Sequence, residues 1–553
     1  MDNLRIFWLC SAIFPITLAS ALAAIYGIRL FCRRNGFVDR PDGERKTHKS
    51  PVALGGGIAV LAAVGVGFAA AFGLDRLLPL GMVEGAPSEL MFEWDNQWLM
   101  LIMCGASIAI VGLIDDWFQL RGRQKLLAQI VIVSVLAIFS QQIDGFAFFG
   151  IEISLGAFAI PVSIVWLLGS VNALNLIDGA DGMATTTGAI ISAGLAAMAF
   201  IIGDAVAGII ALCMCAALIG FFCFNRPPAT IYLGDAGSMM IGLILGTLAL
   251  WISAKETTIL AVAPVAVLSV PLFDSAVAIL RRWLTGRSIY TTDRGHLHHC
   301  LLQKFTPWQM LGLVVLMCGA TTTASVISVY MQREWIAVAG AMGVLVLLVV
   351  SGVFGRRELQ LLMDRVIAFL DSFVRHAPNY DGLIRTKTLQ IQGERQWDDH
   401  WQCLRDFAES HGLCRMKLDL NIPWLHEGFQ AVWSRGRTPD RLDQLVLRIP
   451  IVINQKNVGR VEVMGLGRDE KALHTLDALT QQLLGLQEDL RVTLAEYEAA
   501  ESKVAAQSTQ TAPSVESEST VIASEQGHAG VVPISNAVTD SLAGRSDAII
   551  ATD

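Results

Sequence analysis

Charged residues are scarce in this sequence, and their scarcity excludes an ordinary soluble protein. Asp, Glu, Lys and Arg make up 16% of the 553 residues, and apolar residues make up 53%. Soluble domains carry about 25% charged residues. The shortage is confined to residues 6–355, where apolar stretches of membrane-spanning length recur. We therefore predict a polytopic membrane domain (1–355), a soluble α+β domain (356–500) and a tail (501–553).

Two other features are missing. The ten cysteines lie mainly in apolar stretches and lack the repeated paired spacings of a disulfide framework or a zinc ribbon. The first apolar segment, 6–30, has no convincing small-residue cleavage site and is too long for the core of a signal peptide, so we expect it to stay as an anchor.

Lysine and arginine are also missing from alternate loops. They concentrate in the loops 33–50, 121–125 and 281–304, whereas 142–156 has none and 75–97 has only Arg76. Because positive loops face the cytoplasm, the N-terminus is expected outside and the C-terminal half in the cytoplasm. About eleven spans are predicted, near 6–31, 52–74, 98–114, 125–141, 157–174, 185–202, 205–224, 237–253, 258–280, 308–330 and 335–354.

The C-terminal half has the pattern of a small α+β domain. Charged and apolar residues alternate at helical spacing over 356–373, which predicts an amphipathic helix beside the membrane. A second helix is expected over 395–411 and a long one over 470–501. The β-rich runs 445–453 and 458–464 predict a hairpin. After Ser502 the composition predicts a disordered tail.

Polar motifs interrupt the membrane half at five loops, all on the predicted cytoplasmic side. In the first loop Lys46 and His48 precede Gly55, Gly56 and Gly57. Basic residues near open backbone suit phosphate groups. Taken alone, a positive-inside stop signal followed by helix-packing glycines is the stronger interpretation of this loop.

The second loop opens with two adjacent carboxylates, Asp115 and Asp116, at the end of a span. Each carboxylate costs roughly 2.5–3.5 kcal/mol at membrane depth, so a role is expected. Their mutual repulsion suits one of them to act as a base. Solvation of the helix end is the alternative.

The third and fourth loops supply oxygen ligands. The third contains Asn172, Asn175, Asp178 and Asp181 among glycines, a composition that suits a hard cation and a polyphosphate, although a turn rich in Asn and Asp has the same appearance. In the fourth loop Asp235 either caps the following helix or holds Mg²⁺.

The fifth loop carries Arg294, His296, His298 and His299. Adjacent His298 and His299 cannot easily reach one metal, and no partner Cys/His pair lies nearby, so a zinc site is disfavoured. Imidazoles and an arginine that hold a pyrophosphate or a uridine are the preferred interpretation.

Taken in order, these motifs carry a family resemblance. The set Asp115-Asp116, Asn172-x-x-Asn175-x-x-Asp178-Gly179-x-Asp181-Gly182, Gly234-Asp235-x-Gly237-Ser238 and Asp293-Arg294-x-His296-x-His298-His299 resembles the polyprenyl-phosphate N-acetylhexosamine-1-phosphate transferases, glycosyltransferase family 4. The match covers roughly residues 30–330 and is silent beyond 356. Within the family the His-Leu-His-His sequence is most similar to the undecaprenyl-phosphate GlcNAc-1-phosphate transferases.

The resemblance implies an enzyme of the bacterial inner membrane that moves GlcNAc 1-phosphate, or a related sugar phosphate, from a UDP-sugar to undecaprenyl phosphate in cell-envelope polysaccharide synthesis. It implies that Asn175 and Asp235 ligate Mg²⁺, for which Mn²⁺ can substitute. It further implies that Asp115 and Asp116 serve the acceptor phosphate or the metal. The substrate-binding residues would be Lys46, His48, Asn172, Asp178, Asp181, Arg294, His296, His298 and His299.

Alternatives from other functional classes stay open. A transporter or lipid flippase would also place charges within broken helices, but near the membrane midplane. A membrane-anchored sensor would use the 356–500 region as its output. No nucleic-acid partner is expected, and a homodimer is left open beside a monomer.

Overall fold

The structure is a computed structural model that describes residues 2–39, 51–77, 96–140, 145–148, 151–255, 262–285, 295–374, 384–392, 395, 397–425, 427–435, 444–466 and 472–510. Three predicted site residues, Lys46, His48 and Arg294, and most of the predicted tail lie outside these ranges. The chain divides into two compact units, Met1–Leu494 and Ala495–Asp553.

The membrane half is helical in its described residues. Its helices are α1 (Asp2–Asn35), α2 (Gly56–Leu77), α3 (Asn96–Phe118), α4 (Gly122–Phe139), α5 (Ala159–Ile177), α6 (Met183–Ile201), α7 (Ala205–Asn225), α8 (Gly234–Lys255), α9 (Val262–Ala266), α10 (Ser269–Thr285), α11 (Leu297–Leu302), α12 (Pro307–Met331) and α13 (Glu334–Val350). Among the described residues, nine helices are long and apolar enough to cross a membrane, namely α1 to α8 and α12. The chain is thus a multi-pass membrane protein.

Two predicted spans correspond to shorter helices. The span predicted at 335–354 corresponds to α13, an apolar helix of 17 residues. The described part of 258–280 is divided into α9 and α10. Pro271 lies in the first turn of α10, where a missing backbone N–H is tolerated. The count of eleven spans stays a prediction.

Helix α8 lies at the centre of the described bundle and is almost entirely buried. Glycines let its neighbours approach at backbone distance. A methyl group on Gly112 of α3 would lie 2.4 Å from Ala236, and one on Gly242 of α8 would lie 2.6 Å from the carbonyl oxygen of Ser170 on α5. Close packing of this kind holds helices together in a membrane, and it places the N-terminus of α8 beside the ends of α3 and α5.

The glycine cluster before α2 is a packing feature. Gly56 donates its N–H to the carbonyl oxygen of Tyr232 at 3.0 Å, and Gly57 donates to that of Leu233 at 3.0 Å. A methyl group on Gly57 would lie 2.3 Å from the backbone of Gly237. The contacts agree with the packing interpretation of these glycines. They join the start of α2 to the loop before α8.

Two short antiparallel pairs accompany the helices. Strands β1 (Val38–Asp39) and β2 (Val52–Ala53) pair with each other, and so do β3 (Gly145–Phe148) and β4 (Ile151–Ser154). The backbone N–H of Tyr232 donates to the carbonyl oxygen of Ala53 at 2.8 Å. The first and fourth polar loops are therefore in contact.

The C-terminal half contains a five-stranded antiparallel sheet. Its elements are α14 (Arg356–Val374), β5 (Ile384–Gln392), α15 (Asp398–Ser410), β6 (Arg415–Ile422), β7 (Glu427–Arg435), β8 (Gln444–Ile453), β9 (Lys456–Leu466) and α16 (Ala472–Gln510), with strand order β5-β7-β6-β9-β8. The predicted hairpin is confirmed as β8 and β9, which turn through Asn454 (φ 49°) and Gln455 (φ 63°), as a two-residue hairpin turn requires. The three predicted helices are confirmed as α14, α15 and α16. Helix α16 continues to Gln510, so residues 501–510, which were predicted as part of a disordered tail, are helical.

Candidate functional site

The ammonium group of Lys125 gathers three of the predicted site residues. Lys125 lies in the first turn of α4. Its Nζ is 2.9 Å from Asp115 Oδ2 on α3, 2.7 Å from Asp235 Oδ2 on α8 and 3.1 Å from Asn175 Oδ1 on α5. Residues 60 to 120 positions apart in the chain thus surround one positive atom with oxygens.

Sequence reasoning missed Lys125, because it counted this residue only among the positive charges of its loop. The signal available was its position. Lys125 follows Arg121 and Arg123 but lies inside a span, where a lysine needs a partner.

Asn175 is held so that its carbonyl oxygen faces the cation. Its Nδ2 donates to Asp235 Oδ1 at 2.6 Å and to Ser238 Oγ at 2.9 Å. The amide orientation is therefore set by α8. Asp235 and Asn175 are thus hydrogen-bonded to each other, and their role as Mg²⁺ ligands stays a prediction.

The adjacent carboxylates Asp115 and Asp116 have different partners. Asp116 accepts the backbone N–H groups of Asp235 (2.9 Å) and Ala236 (3.4 Å), and so caps α8. A carboxylate at this end is favoured by the helix dipole. Asp235 is therefore not the cap, and its carboxylate is directed to Lys125 instead.

Asp115 is positioned by the chain that follows it. Its Oδ1 accepts the backbone N–H of Leu120 at 2.7 Å, whereas its Oδ2 is the atom next to Lys125. The side chain is buried. One oxygen holds the turn, and the other belongs to the oxygen cluster.

Gly234 makes room for this arrangement. Its φ is +73°, and a Cβ there would lie 2.5 Å from Asp116 Oδ2. A side chain would be strained in this conformation and would displace the carboxylate. The glycine of the fourth motif is thus required by Asp116 of the second.

Asp178 and Asp181 lie in the turn between α5 and α6. Asp181 Oδ2 accepts the backbone N–H of Ala229 at 2.9 Å. Burial raises the pKa of Asp178 well above its usual value, and the negative charges of Asp235, Asp116 and Asp181 raise it further. A cation beside this turn would reverse the second effect.

A cavity of about 890 Å³ opens between these elements. Its size falls within the usual range for ligand pockets, roughly 300–1,000 Å³. None of its described lining residues is Lys or Arg. Six aspartates line it, namely Asp39, Asp115, Asp116, Asp178, Asp181 and Asp235.

The histidine segment, residues 295–299, packs against the turn 178–181 that joins α5 and α6. His296 Nδ1 is 3.1 Å from Asp274 Oδ2, and the backbone N–H of Leu297 donates to Asp274 Oδ1 at 2.8 Å. Asp274, a buried residue of α10, was missed by sequence reasoning because no motif surrounds it. It fixes the start of the histidine segment.

His298 packs directly against Gly179. A Cβ on Gly179 would lie 2.3 Å from His298 Nε2. Burial, and after it the neighbouring His299, lower the pKa of His298 to about 3. His298 Nδ1 is buried without a hydrogen-bond partner in the described part of the chain. This imidazole is neutral at physiological pH, so it can donate a hydrogen bond to a diphosphate but brings no charge.

Asn172 lies apart from the cavity. Its Nδ2 donates to Gln129 Oε1 at 2.9 Å and to the carbonyl oxygen of Leu168 at 2.8 Å. The bond to Gln129 joins α5 to α4, one helical turn before Asn175. Its predicted role in binding substrate stays a prediction.

The chain is similar to known sugar-phosphate transferases. Residues 98–253 match glycosyl transferase family 4. The chain is 30% identical over 328 residues to a probable undecaprenyl-phosphate N-acetylglucosaminyl 1-phosphate transferase of Bacillus subtilis (strain 168), which covers 59% of this chain and 86% of the relative. It is 31% identical over 307 residues to a decaprenyl-phosphate N-acetylglucosaminephosphotransferase of Mycobacterium tuberculosis, with 50% and 71% covered.

A third relative is a phospho-N-acetylmuramoyl-pentapeptide-transferase of Staphylococcus carnosus, 31% identical over 234 residues, with 39% of this chain and 72% of the relative covered.

Proposed function

The chain belongs to glycosyl transferase family 4 and is a phospho-sugar transferase of the membrane, and from this premise we propose that it transfers GlcNAc 1-phosphate from UDP-GlcNAc to undecaprenyl phosphate. UMP would be released, and undecaprenyl-diphospho-GlcNAc would be formed. Two relatives whose names specify an N-acetylglucosamine phosphate and a polyprenyl phosphate support this choice of substrates. The reaction would be the first membrane step of cell-envelope polysaccharide synthesis.

One observation carries the proposal. The oxygens of Asp115, Asn175 and Asp235 converge on the Lys125 ammonium group, beside an acidic cavity that Asp115 and Asp235 line. Phosphoryl transfer needs this kind of charge neutralisation and positioning more than covalent chemistry.

The donor set fits Mg²⁺. In the described residues, no three His, Cys, Asp or Glu side chains are arranged to hold a metal alone. Mg²⁺ usually takes one or two carboxylates and completes its shell with water and substrate phosphates. Asp235 and the Asn175 amide oxygen would hold it, with Mn²⁺ as a substitute. When bound, the metal would neutralise the diphosphate and make UMP a better leaving group.

The side chains would then divide the work. Asp115 or Asp116 orients the acceptor phosphate or accepts its proton, and an oxygen of that phosphate attacks the sugar-bearing phosphorus. Lys125 holds Asp115 and Asp235 in register. A two-step route through an aspartyl phosphate is the alternative.

The site suits a lipid acceptor at the cytoplasmic face of the bacterial inner membrane. Asp115, Lys125, Asn175 and Asp235 all lie at the ends of apolar helices rather than in their middles. A transporter would instead place charges near the midplane. The loop charges put this end of the bundle in the cytoplasm, where UDP-sugars are made.

Release of UMP tests the proposal. Purified protein is incubated with undecaprenyl phosphate, Mg²⁺ and a panel of UDP-N-acetylhexosamines. We expect UMP with UDP-GlcNAc and none with Asp235→Ala. No release with any donor, or release that Asp235→Ala leaves unchanged, would contradict the proposal.

A further inference from the structure

A buried ion pair joins the C-terminal half to the membrane half. Arg281 of α10 is 3% exposed and Glu358 of α14 is 6% exposed. Arg281 Nε donates to Glu358 Oε1. Two charges removed from water in this way depend strongly on each other, because either one alone would be buried and unpaired.

Arg281 has a second partner, in the histidine segment. Its Nη2 donates to the carbonyl oxygen of Gly295 at 2.8 Å. Gly295 is followed by His296, which contacts Asp274. Arg281 and Asp274 are seven residues apart, so they lie on the same face of α10. Together they hold the backbone on both sides of His296.

Other contacts of the described C-terminal residues reach the end of α10. Arg365 Nη2 donates to the carbonyl oxygen of Leu284 at 2.6 Å, and its guanidinium lies 5.1 Å from the Trp283 ring centroid. Lys417 Nζ (3.0 Å) and Gln430 Nε2 (3.2 Å) both donate to the carbonyl oxygen of Thr285. Arg365, Lys417 and Gln430 thus attach the C-terminal half to the end of α10, whereas Glu358 contacts the arginine that holds Gly295.

From this arrangement we propose that Glu358 is a positioning residue of the transferase, acting from the part of the chain that the family resemblance does not cover. Glu358 orients the Arg281 guanidinium. Arg281 then holds Gly295, and with it the segment that packs His298 against Gly179 at the cavity. The inference rests on the proposed function, since it assigns Glu358 to the same site.

The test compares Glu358→Gln with Arg365→Gln in the full-length protein. Glu358→Gln removes the charge that holds Arg281, whereas Arg365→Gln removes a fastening contact and leaves the Arg281 bridge intact. We expect Glu358→Gln to lower kcat/KM for the UDP-sugar by about tenfold to a hundredfold, as a displaced group does. The KM for undecaprenyl phosphate stays unchanged. Arg365→Gln lowers the melting temperature in detergent but keeps kcat within about twofold of wild type. Glu358→Asp, which keeps the charge, recovers part of the activity.

Hydrogen exchange gives a readout independent of activity. We expect the backbone amides of Leu297–Leu302 to exchange faster in Glu358→Gln than in wild type or Arg365→Gln. Unchanged exchange together with unchanged kcat/KM would overturn the inference, and so would equal losses in both variants. Wild-type protein that releases no UMP would count against the proposed function instead, and the exchange comparison would still decide the role of Glu358.

Discussion

The carboxylate cluster and the histidine segment meet at the 178–181 turn, yet they are built in opposite ways. Asp115, Asn175 and Asp235 surround the Lys125 ammonium group, and Asp115 and Asp235 line the cavity. His296 and His298 are buried, one held by Asp274 and the other neutral against Gly179. The first region is built around a charge, whereas the second is built from buried packing contacts.

This difference assigns the two regions different roles in the proposed reaction, namely charge neutralisation and orientation of the diphosphate. Neutralising a diphosphate requires cations in the carboxylate cluster. Holding the diphosphate in one orientation requires groups in fixed positions, which is the role given to the histidine segment. Substitutions in the first region should therefore affect catalysis most, and substitutions in the second should affect geometry and stability.

The largest effect is expected at Lys125. Lys125→Met keeps the apolar stem but leaves Asp115 and Asp235 facing each other without a cation. We expect kcat to fall by about 10²–10³-fold, the size of effect seen when one preorganised electrostatic group is lost. Lys125→Arg, which keeps the charge, should retain more activity. Equal kcat for Lys125→Met and wild type would remove Lys125 from the site.

Two asparagines on α5 provide a matched comparison. Asn175 faces the cation, whereas Asn172, one turn away, bonds to Gln129. We expect Asn175→Ala to lower kcat by about 10²-fold and Asn172→Ala by less than about tenfold, because only the first removes an oxygen from the cluster. Steady-state UMP release measures both. A larger loss for Asn172→Ala would restore its predicted role in substrate binding.

A smaller effect is expected where the histidine segment packs against Gly179. A methyl group on Gly179 would collide with the His298 ring, whereas one on Gly169 would meet Leu272 at 3.7 Å, an ordinary contact. Gly179→Ala should lower kcat/KM about tenfold, as a displacement near the reacting groups does. Gly169→Ala should leave it unchanged. Equal activities of the two variants would show that the His298 contact does not matter.

The smallest effect concerns stability and pH. His298 has a pKa of about 3 when folded, below the value of 6.5 for a free histidine. The unfolded chain therefore binds a proton between these values that the folded chain does not. Stability is unaffected above pH 6.5 and falls as the pH drops below it, by at most about 1.4 kcal/mol per pH unit.

His298→Gln removes this titration. Its melting temperature should fall less than that of wild type between pH 7.5 and pH 5.5. Identical falls in the two proteins would mean that His298 is already protonated in the folded state.

The sequence predicted one region better than the other for a physical reason. The site residues predicted from the sequence are polar and lie at the ends of apolar spans, namely Asp115, Asn175 and Asp235. A polar residue there costs free energy, so its presence indicates a role. Lys125 lay in the same position but resembled an orientation signal. The pairing of Asp116 with the N-terminus of α8 joins residues 119 positions apart and has no local signature.

The contacts that hold the histidine segment are not marked by any sequence motif. Asp274 is an isolated carboxylate in α10, and Gly179 matters only because a ring lies on it. In the C-terminal half the hairpin was predicted because two runs rich in Val, Ile and Leu flank a short Asn/Gln/Lys turn. Strands β5, β6 and β7 mix charged and apolar residues and were not predicted.

Transfer of labelled phosphorus tests the central claim most directly. UDP-GlcNAc carrying ³²P in the phosphate next to the sugar is incubated with the protein, undecaprenyl phosphate and Mg²⁺. If the sugar is transferred together with its phosphate, the wild-type protein places the label in the lipid product and releases unlabelled UMP. The Asp235→Ala variant is expected to form neither labelled lipid nor UMP. Label that leaves in UDP, with only the sugar on the lipid, would contradict the account.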